Sequence, residues 1–179
     1  LVIFQYLSSI VLITGTYVVY QQLQHLKQQD LGVTLEQTLI LDAPVVTTND
    51  SIFVSKLEAF KNELLSYNTI GNMTTSTAIP GQSPNWNAGG IRLLTQREDE
   101  SNQYRVLGID EEFIDFYGLD LVAGRKFDRS FGSEHDNILI NEASLTTLGL
   151  QNAEEALNEK LYFWGDTFNI IGVVKNYRQ

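Results

Sequence analysis

The sequence predicts an α+β domain carried behind an N-terminal helix long enough to cross a membrane. Three observations predict it. No Asp, Glu, Lys or Arg occurs before Lys27, and the first twenty residues are almost wholly apolar or hydroxylated. Beyond that point, helical and alternating apolar patterns follow one another in short pieces separated by Gly, Pro and Asn. The formal charge of −10 falls entirely on this second part, from 12 Lys+Arg against 22 Asp+Glu in 179 residues.

That charge excludes function classes before any motif is read. An acidic surface repels phosphate backbones, so nucleic acid is not an expected partner. It also disfavours a polybasic grip on anionic lipid. Hydrophobic residues make up 43% of the chain, too many for a disordered one. Zero cysteines remove disulfides, thiolate metal sites and Cys nucleophiles together.

Each element can be justified in turn. Residues 1–20, LVIFQYLSSIVLITGTYVVY, form a helix of ~30 Å, one hydrocarbon thickness. Hydroxyls at Ser8, Ser9, Thr14 and Thr16 are tolerable there because they bond back to helix carbonyls. Tyr17 and Tyr20 mark an interfacial belt. The helical spacing of Val19, Leu23 and Leu26, with good helix formers Gln21, Gln22, Gln24 and Gln28 and with His25 among them, extends the span into a stalk. Gly32 supplies a left-handed stop. No basic N-region or cleavage site suggests a secretory signal. The missing initiator Met implies that the native N-terminus lies upstream, so flanking charge does not give orientation.

Residues 38–43 (TLILDA) and 69–79 read as strands around an amphipathic helix at 52–67, a βαβ-like unit. Residues 80–90 read as a loop, with Trp86 either closing the core or offering an anchor. Strands follow at 91–97 and 104–109, then a short helix at 110–117 capped by Asp110 and a strand at 119–122. Residues 137–140 read as a strand, with Asn141 capping a helix over 142–148 that ends at Gly149. A turn of helix at 153–157 precedes a hairpin over 161–174 around Gly165-Asp166.

Chemistry is sparse. His25 and His135 are the two histidines, far apart and outside any metal-binding spacing. The acidic loop at 128–136 lacks the glycine and closing glutamate of a calcium loop. Asp110, Glu111, Glu112 and Asp115 read as a solvated helix start, with acid–base work as the alternative. There is no phosphate-binding glycine loop, nucleophile elbow or dinucleotide fingerprint. No catalytic residue, cofactor or metal is therefore expected.

Five segments, in this order, carry a resemblance: FQYLSSIVLITGTYVVYQQLQHLKQQDLG at the start, FIDFYGLDLVAGRKF at 113–127, ILINEASLTTLGL at 138–150, AEEALNEKL at 153–161 and FNIIGVVKNY at 168–177. Together they resemble the MacB/FtsX-type permeases of ABC transporters, over their first membrane helix and periplasmic core domain. The resemblance implies a transmembrane helix and stalk at 1–31 and a two-lobed periplasmic domain at 32–179. Its first lobe would be the βαβ unit at 38–79, and its inserted lobe of strands and short helices would fill 91–174. A return segment completing the first lobe would follow Gln179.

The same resemblance implies force transmission in place of chemistry. A separate or fused ATPase subunit would hydrolyse ATP, the permease would act as a homodimer or paired permease in the bacterial inner membrane, and the stalk would relay closure to periplasmic lobes. Export, lipoprotein release or control of a wall-acting enzyme are the family's outputs, with a periplasmic adaptor or lipoprotein as partner. Gly124, Arg125 and Phe127 match the family's G-R-x-F turn and imply a tight turn, a tie to carbonyls or a carboxylate, and a plug. Asn141 and Glu142 imply a helix start. A membrane-anchored periplasmic enzyme and a tethered ligand-binding or sensory domain are the alternatives.

Overall fold

The computed structural model describes residues 2–28, 32–35, 37–42, 51–82, 86–132 and 134–177. The chain divides into two compact units, Leu1–Leu31 and Gly32–Gln179. The first is a single helix, α1 (Val2–Gln28). In the second, helix α2 (Ser51–Leu65) precedes strands β1 (Asn87–Leu93) and β2 (Asn102–Arg105). Then come α3 (Phe113–Phe116), β3 (Leu121–Gly124), β4 (Asn137–Asn141), α4 (Glu142–Leu148), α5 (Ala153–Ala156), β5 (Lys160–Phe163) and β6 (Asp166–Val174). This is the mixed helix-and-sheet architecture expected behind an N-terminal apolar helix.

The long strand β6 organises the sheet. Asn169 pairs with Lys160 of β5 and with Asn137 of β4, and Val174 pairs with Leu121 of β3 and with Asn141 of β4. A strand residue has only two edges, so β5 and β3 share one edge of β6 while β4 runs parallel along the other. β1 continues the sheet from β5, and β2 from β1, both antiparallel.

Side-chain alternation along these strands sends apolar groups to both faces. Ile138, Ile140, Ile170 and Val173 join a cluster with Ile91, Leu161, Leu148 of α4 and Ala156 of α5. Leu139 and Val174 join a second cluster with Phe113, Ile114, Tyr117 and Leu119 around α3. Phe113, Leu148, Ile170 and Val173 are fully buried, each contributing on the order of 2 kcal/mol. Short helices thus cover the two faces of one sheet.

Four expectations are corrected. Within the described residues, 38–79 contribute α2 and one isolated bridge, Ser76 with Ile109, and not the two flanking strands. Leu39, Ile40 and Leu41 are exposed, because β-propensity makes a strand only against a partner ladder. Residues 75–77 keep only a short backbone pairing with 108–110: the Thr77 amide donates to Gly108 at 2.9 Å and the Asp110 amide to Thr75 at 3.1 Å, and the Thr77 hydroxyl accepts from the Gly108 amide. The strand placed at 91–97 begins instead at Asn87, since Gly89 and Gly90, read as loop, form a bulge between Ala88 and Ile91. The β5–β6 turn is Trp164-Gly165, both at positive φ, one residue earlier than expected. Helix α3 is shorter than 110–117, and Asp110 is not its cap.

Candidate functional site

On α1, the most apolar 18 residues within Val2–His25 have a mean hydropathy of 1.7, and none of them is buried. Ser8, Ser9, Thr14 and Thr16 each donate to the carbonyl four residues back, at 2.8–2.9 Å. Their polar groups are therefore satisfied inside the helix, as a lipid environment requires. Near its end Gln21 donates to the Tyr17 hydroxyl at 2.8 Å and Gln24 to that of Tyr20 at 3.0 Å. These ties brace the stretch in which Gln22 and His25 also stand exposed, with Gln28 as the last helical residue. At 1.5 Å per residue, the 27-residue helix is ~40 Å long, about 10 Å more than a hydrocarbon core.

The G-R-x-F turn follows β3. Gly124 has φ +79, and a Cβ there would meet the Ile171 carbonyl oxygen and lie 2.8 Å from the Gly172 Cα. A Cβ on Gly172 would in turn meet the Arg125 carbonyl oxygen. Two glycines let β3 and β6 approach backbone to backbone, with the Arg125 amide donating to Ile171 at 2.9 Å. The Arg125 guanidinium makes a two-pronged pair with Glu134, at 2.6 and 3.2 Å, and lies 4.2 Å from the centre of the Phe131 ring. It also donates to the Lys126 carbonyl at 3.1 Å. Phe127 is half-buried and belongs to neither buried cluster.

Glu134 closes the loop once considered for calcium. Its carboxylate also takes Asn137 Nδ2 and the Asp128 amide, while Asp128 itself caps a turn by accepting from the Ser130 amide. The Arg125 hydrogen bond, helped by these donors against partial burial, holds the Glu134 pKa down at about 2. His135 sits beside Asp136, which raises its pKa by hydrogen bond and charge. Among the described residues no group of three or more His, Asp or Glu stands together as a metal site.

The helix start at α4 is built from both sides. Asn141 Oδ1 accepts from the Ser144 amide at 3.1 Å, Glu142 takes the Asn176 amide at 3.1 Å, and Asn176 Oδ1 takes the Ala143 amide at 2.9 Å. The segment after β6 is thereby fastened to α4.

One cluster escapes a local reading of the sequence. Lys61 of α2 is buried, with its ammonium 2.6 Å from Glu112 and 3.3 Å from Asp110. Asp110 further accepts from the Thr74 hydroxyl at 2.5 Å, the Thr75 amide at 2.9 Å and the Thr75 hydroxyl at 3.2 Å. The solvated cap expected at Asp110 is corrected to the centre of a buried polar network. Beside it Arg129 pairs with Glu58 of α2 at 3.1 Å and with Glu111 at 3.2 Å, and the Glu111 contact leads in raising its pKa. Asp115 pairs with Lys126. The partners are 11 to 71 residues apart, so no spacing rule announces them. Asp110 and Glu112 through Lys61, and Glu111 through Arg129 and Glu58, hold α2.

No family model and no curated protein matches the sequence. Among solved structures, the chain is similar to the periplasmic region of MacB from Actinobacillus actinomycetemcomitans, at 20% identity and a TM-score of 0.48 over 66% of this chain and 50% of that one. It is similar to a domain of a putative permease protein from Porphyromonas gingivalis, at 17% identity and a TM-score of 0.46 over 66% and 46%. The extracellular domain of the noncanonic ABC-type transporter YknZ from Gram-positive bacteria aligns at 23% identity and a TM-score of 0.39 over 50% and 48%. The chain spans about half the length of each solved chain and is similar to MacB-like periplasmic domains.

Proposed function

We propose that the chain is the extracytoplasmic part of an ABC transporter permease subunit, with residues 1–31 as its first membrane helix and stalk and residues 32–179 as the domain that moves. The observation that carries this reading is α1. It is apolar on all sides and exposed, satisfies its own hydroxyls, and runs unbroken for ~10 Å past a hydrocarbon thickness. A helix without a hinge carries displacement from bilayer to domain. The five family-like segments name the class of machine.

In this reading an ATPase subunit hydrolyses ATP on the cytoplasmic side of the bacterial inner membrane. A homodimer or paired permease closes, and Gln21, Gln22, Gln24, His25 and Gln28 keep the stalk stiff. Gly124, Arg125, Phe127, Asn141 and Glu142 serve structure: Gly124 and Arg125 fix β3 on β6, Phe127 plugs the turn, and Asn141 and Glu142 start α4 and fasten the end of β6 to it, so that the domain moves as a body. The output is export or release of a lipoprotein or peptide, through a periplasmic adaptor or lipoprotein partner.

The test is a flexible stalk in the intact transporter, reconstituted in vesicles. A Gly-Gly pair replacing Gln24-His25 weakens the helix by ~1 kcal/mol per residue relative to Ala. The expected result is ATP hydrolysis that persists while transport falls. Transport at the parent rate would make the stalk a mere tether.

A further inference from the structure

From Asn102 to Asp110 the chain is one extended run with a single paired edge. Tyr104 stands opposite Ala88, the Val106 amide bonds the Trp86 carbonyl, and the Asp110 amide bonds the Thr75 carbonyl. The even-numbered backbone groups therefore face β1 and residues 75–77. Backbone groups alternate between the two edges of a strand, so Gln103, Arg105, Leu107 and Ile109 turn theirs the other way. No described residue bonds them there. This open edge lines a cavity of about 610 Å³, whose other walls include residues 138–141 of β4, Leu148 of α4 and Leu161 of β5. An unpaired edge of this length is a template for a further strand.

In the same unit a strand-forming segment lacks an edge. Residues 38–42 (TLILD) have the composition of a strand, yet Leu39, Ile40 and Leu41 are exposed. Just before them Gln37 sits at φ +56, one of two non-glycine residues in the left-handed region. That conformation is strained for a residue with a Cβ, and it turns the chain off an extended path. Leu35 packs in the cluster that holds Leu107 and Ile109, so Thr38 lies three residues, ~10 Å of extended chain, from the open edge. The cluster is built around α3, beyond the Ile109 end, so the segment enters there and runs antiparallel to the edge. One register suits every position: Asp42 opposite Arg105, Ile40 opposite Leu107 and Thr38 opposite Ile109. Arg105 and Asp42 are both exposed, and neither has an ion-pair partner among the described residues. On the other face Leu41 and Leu39 fall beside Val106, which packs on the apolar cluster, and Gly108. A slip of one residue would instead set Leu41 against Arg105.

We propose that residues 38–42 are a strap that closes as an extra strand on the 103–109 edge, with Gln37 as its hinge, and that this structure holds the open state. Closing gives the edge its backbone partners, covers exposed aliphatic side chains, pairs Arg105 with Asp42 and relieves the left-handed strain at Gln37. The ordering of the strap opposes it. Two states of comparable free energy, directly behind residues 1–31, make a switch. The proposal does not depend on the permease reading, because it concerns the Gly32–Gln179 unit alone.

The chain has no cysteine, so an introduced pair reads the register without background. In the full chain in lipid nanodiscs, Leu41→Cys with Val106→Cys should form a disulfide within one molecule on mild oxidation, read by non-reducing electrophoresis and peptide mass spectrometry. Ile40→Cys with Val106→Cys places the thiols on opposite faces of the closed pair and should cross-link about tenfold more slowly. Arg105→Glu sets a like charge opposite Asp42 and should slow the bond between positions 41 and 106 by up to about fivefold; adding Asp42→Arg should restore it. Hydrogen exchange tests the hinge without cysteines. Gln37→Val, disfavoured in the left-handed region, should slow exchange at Gln103, Arg105 and Leu107 about fivefold, and Gln37→Gly, at ease there, should speed it. Equal cross-linking of the two cysteine pairs overturns the strap. So does identical exchange at those three amides in both Gln37 variants with circular dichroism intact. Disulfides formed only between molecules overturn it in favour of strand exchange between copies.

Discussion

Around Gly124 and Gly172 backbone lies on backbone, whereas around Lys61 four side chains do the holding. The first strip is a sheet crossing with buried apolar residues on both faces. The second fastens α2, whose Val54 and Phe60 remain exposed, through charges and hydroxyls. Backbone contact tolerates no change in shape but is indifferent to pH and salt. A charge network tolerates modest changes in shape but depends on each partner remaining present and ionised. The sheet is therefore expected to unfold as a unit, and α2 to open before it.

The largest break comes at the sheet crossing. Gly124→Ala puts a Cβ against backbone that has nowhere to go, at a left-handed φ, and should cost about 4 kcal/mol or more. Urea unfolding followed by circular dichroism checks it; a midpoint within error of the parent would show that β3 can slide off β6.

Next in size is Lys61→Ala, which leaves Asp110 and Glu112 facing each other with no cation between them. The expected loss is ~3 kcal/mol, confined to α2 and residues 74–77. Hydrogen exchange reads it: faster exchange in α2 with β4 and β6 unchanged supports two separately held regions. Uniform acceleration would merge them.

Acid probes the Arg125–Glu134 pair. A carboxylate with a depressed pKa adds stability that is complete above its ordinary value of 4.5 and is lost as pH falls toward about 2. Between pH 5 and 2 the parent should lose about 2 kcal/mol from this group, and Glu134→Gln should lose that part of the pH dependence. Chemical denaturation at stepped pH measures both slopes.

The smallest effect runs the other way. Trp164, at φ +55 and followed by Gly165 at φ +96, occupies a turn position that favours Asn. Trp164→Asn should stabilise the hairpin by ~1 kcal/mol, offset in part by the lost stacking on Phe163 and Trp86. A thermal melt gives the sign.

What was legible in the sequence follows the same division. The ends of α4 are written locally, with Asn141 three residues before the amide it caps and Gly149 in the left-handed conformation that stops the helix. The β4, β5 and β6 segments carry short, unbroken apolar runs within a few residues. Asp110 was misread because its partners stand 35 to 49 residues back, on Thr74, Thr75 and Lys61. The segment at 38–42 has the composition of a strand, but a ladder is a property of two segments. Arg125 was legible as a tie, while its partner Glu134 hid in a loop whose acids resembled a metal site.

Trp86 and Trp164 are the chain's only tryptophans, and their rings lie 5.1 Å apart, tilted by 50°, at the tip of the β5–β6 hairpin. Two indoles at that separation share their excitation. The pair should therefore give a split band in circular dichroism that vanishes when either ring is removed. Emission from the chain likewise originates at this one end of the sheet. Followed by fluorescence, unfolding will report whether the hairpin tip remains docked on the residue preceding β1, and the loosening of α2 will pass in the dark.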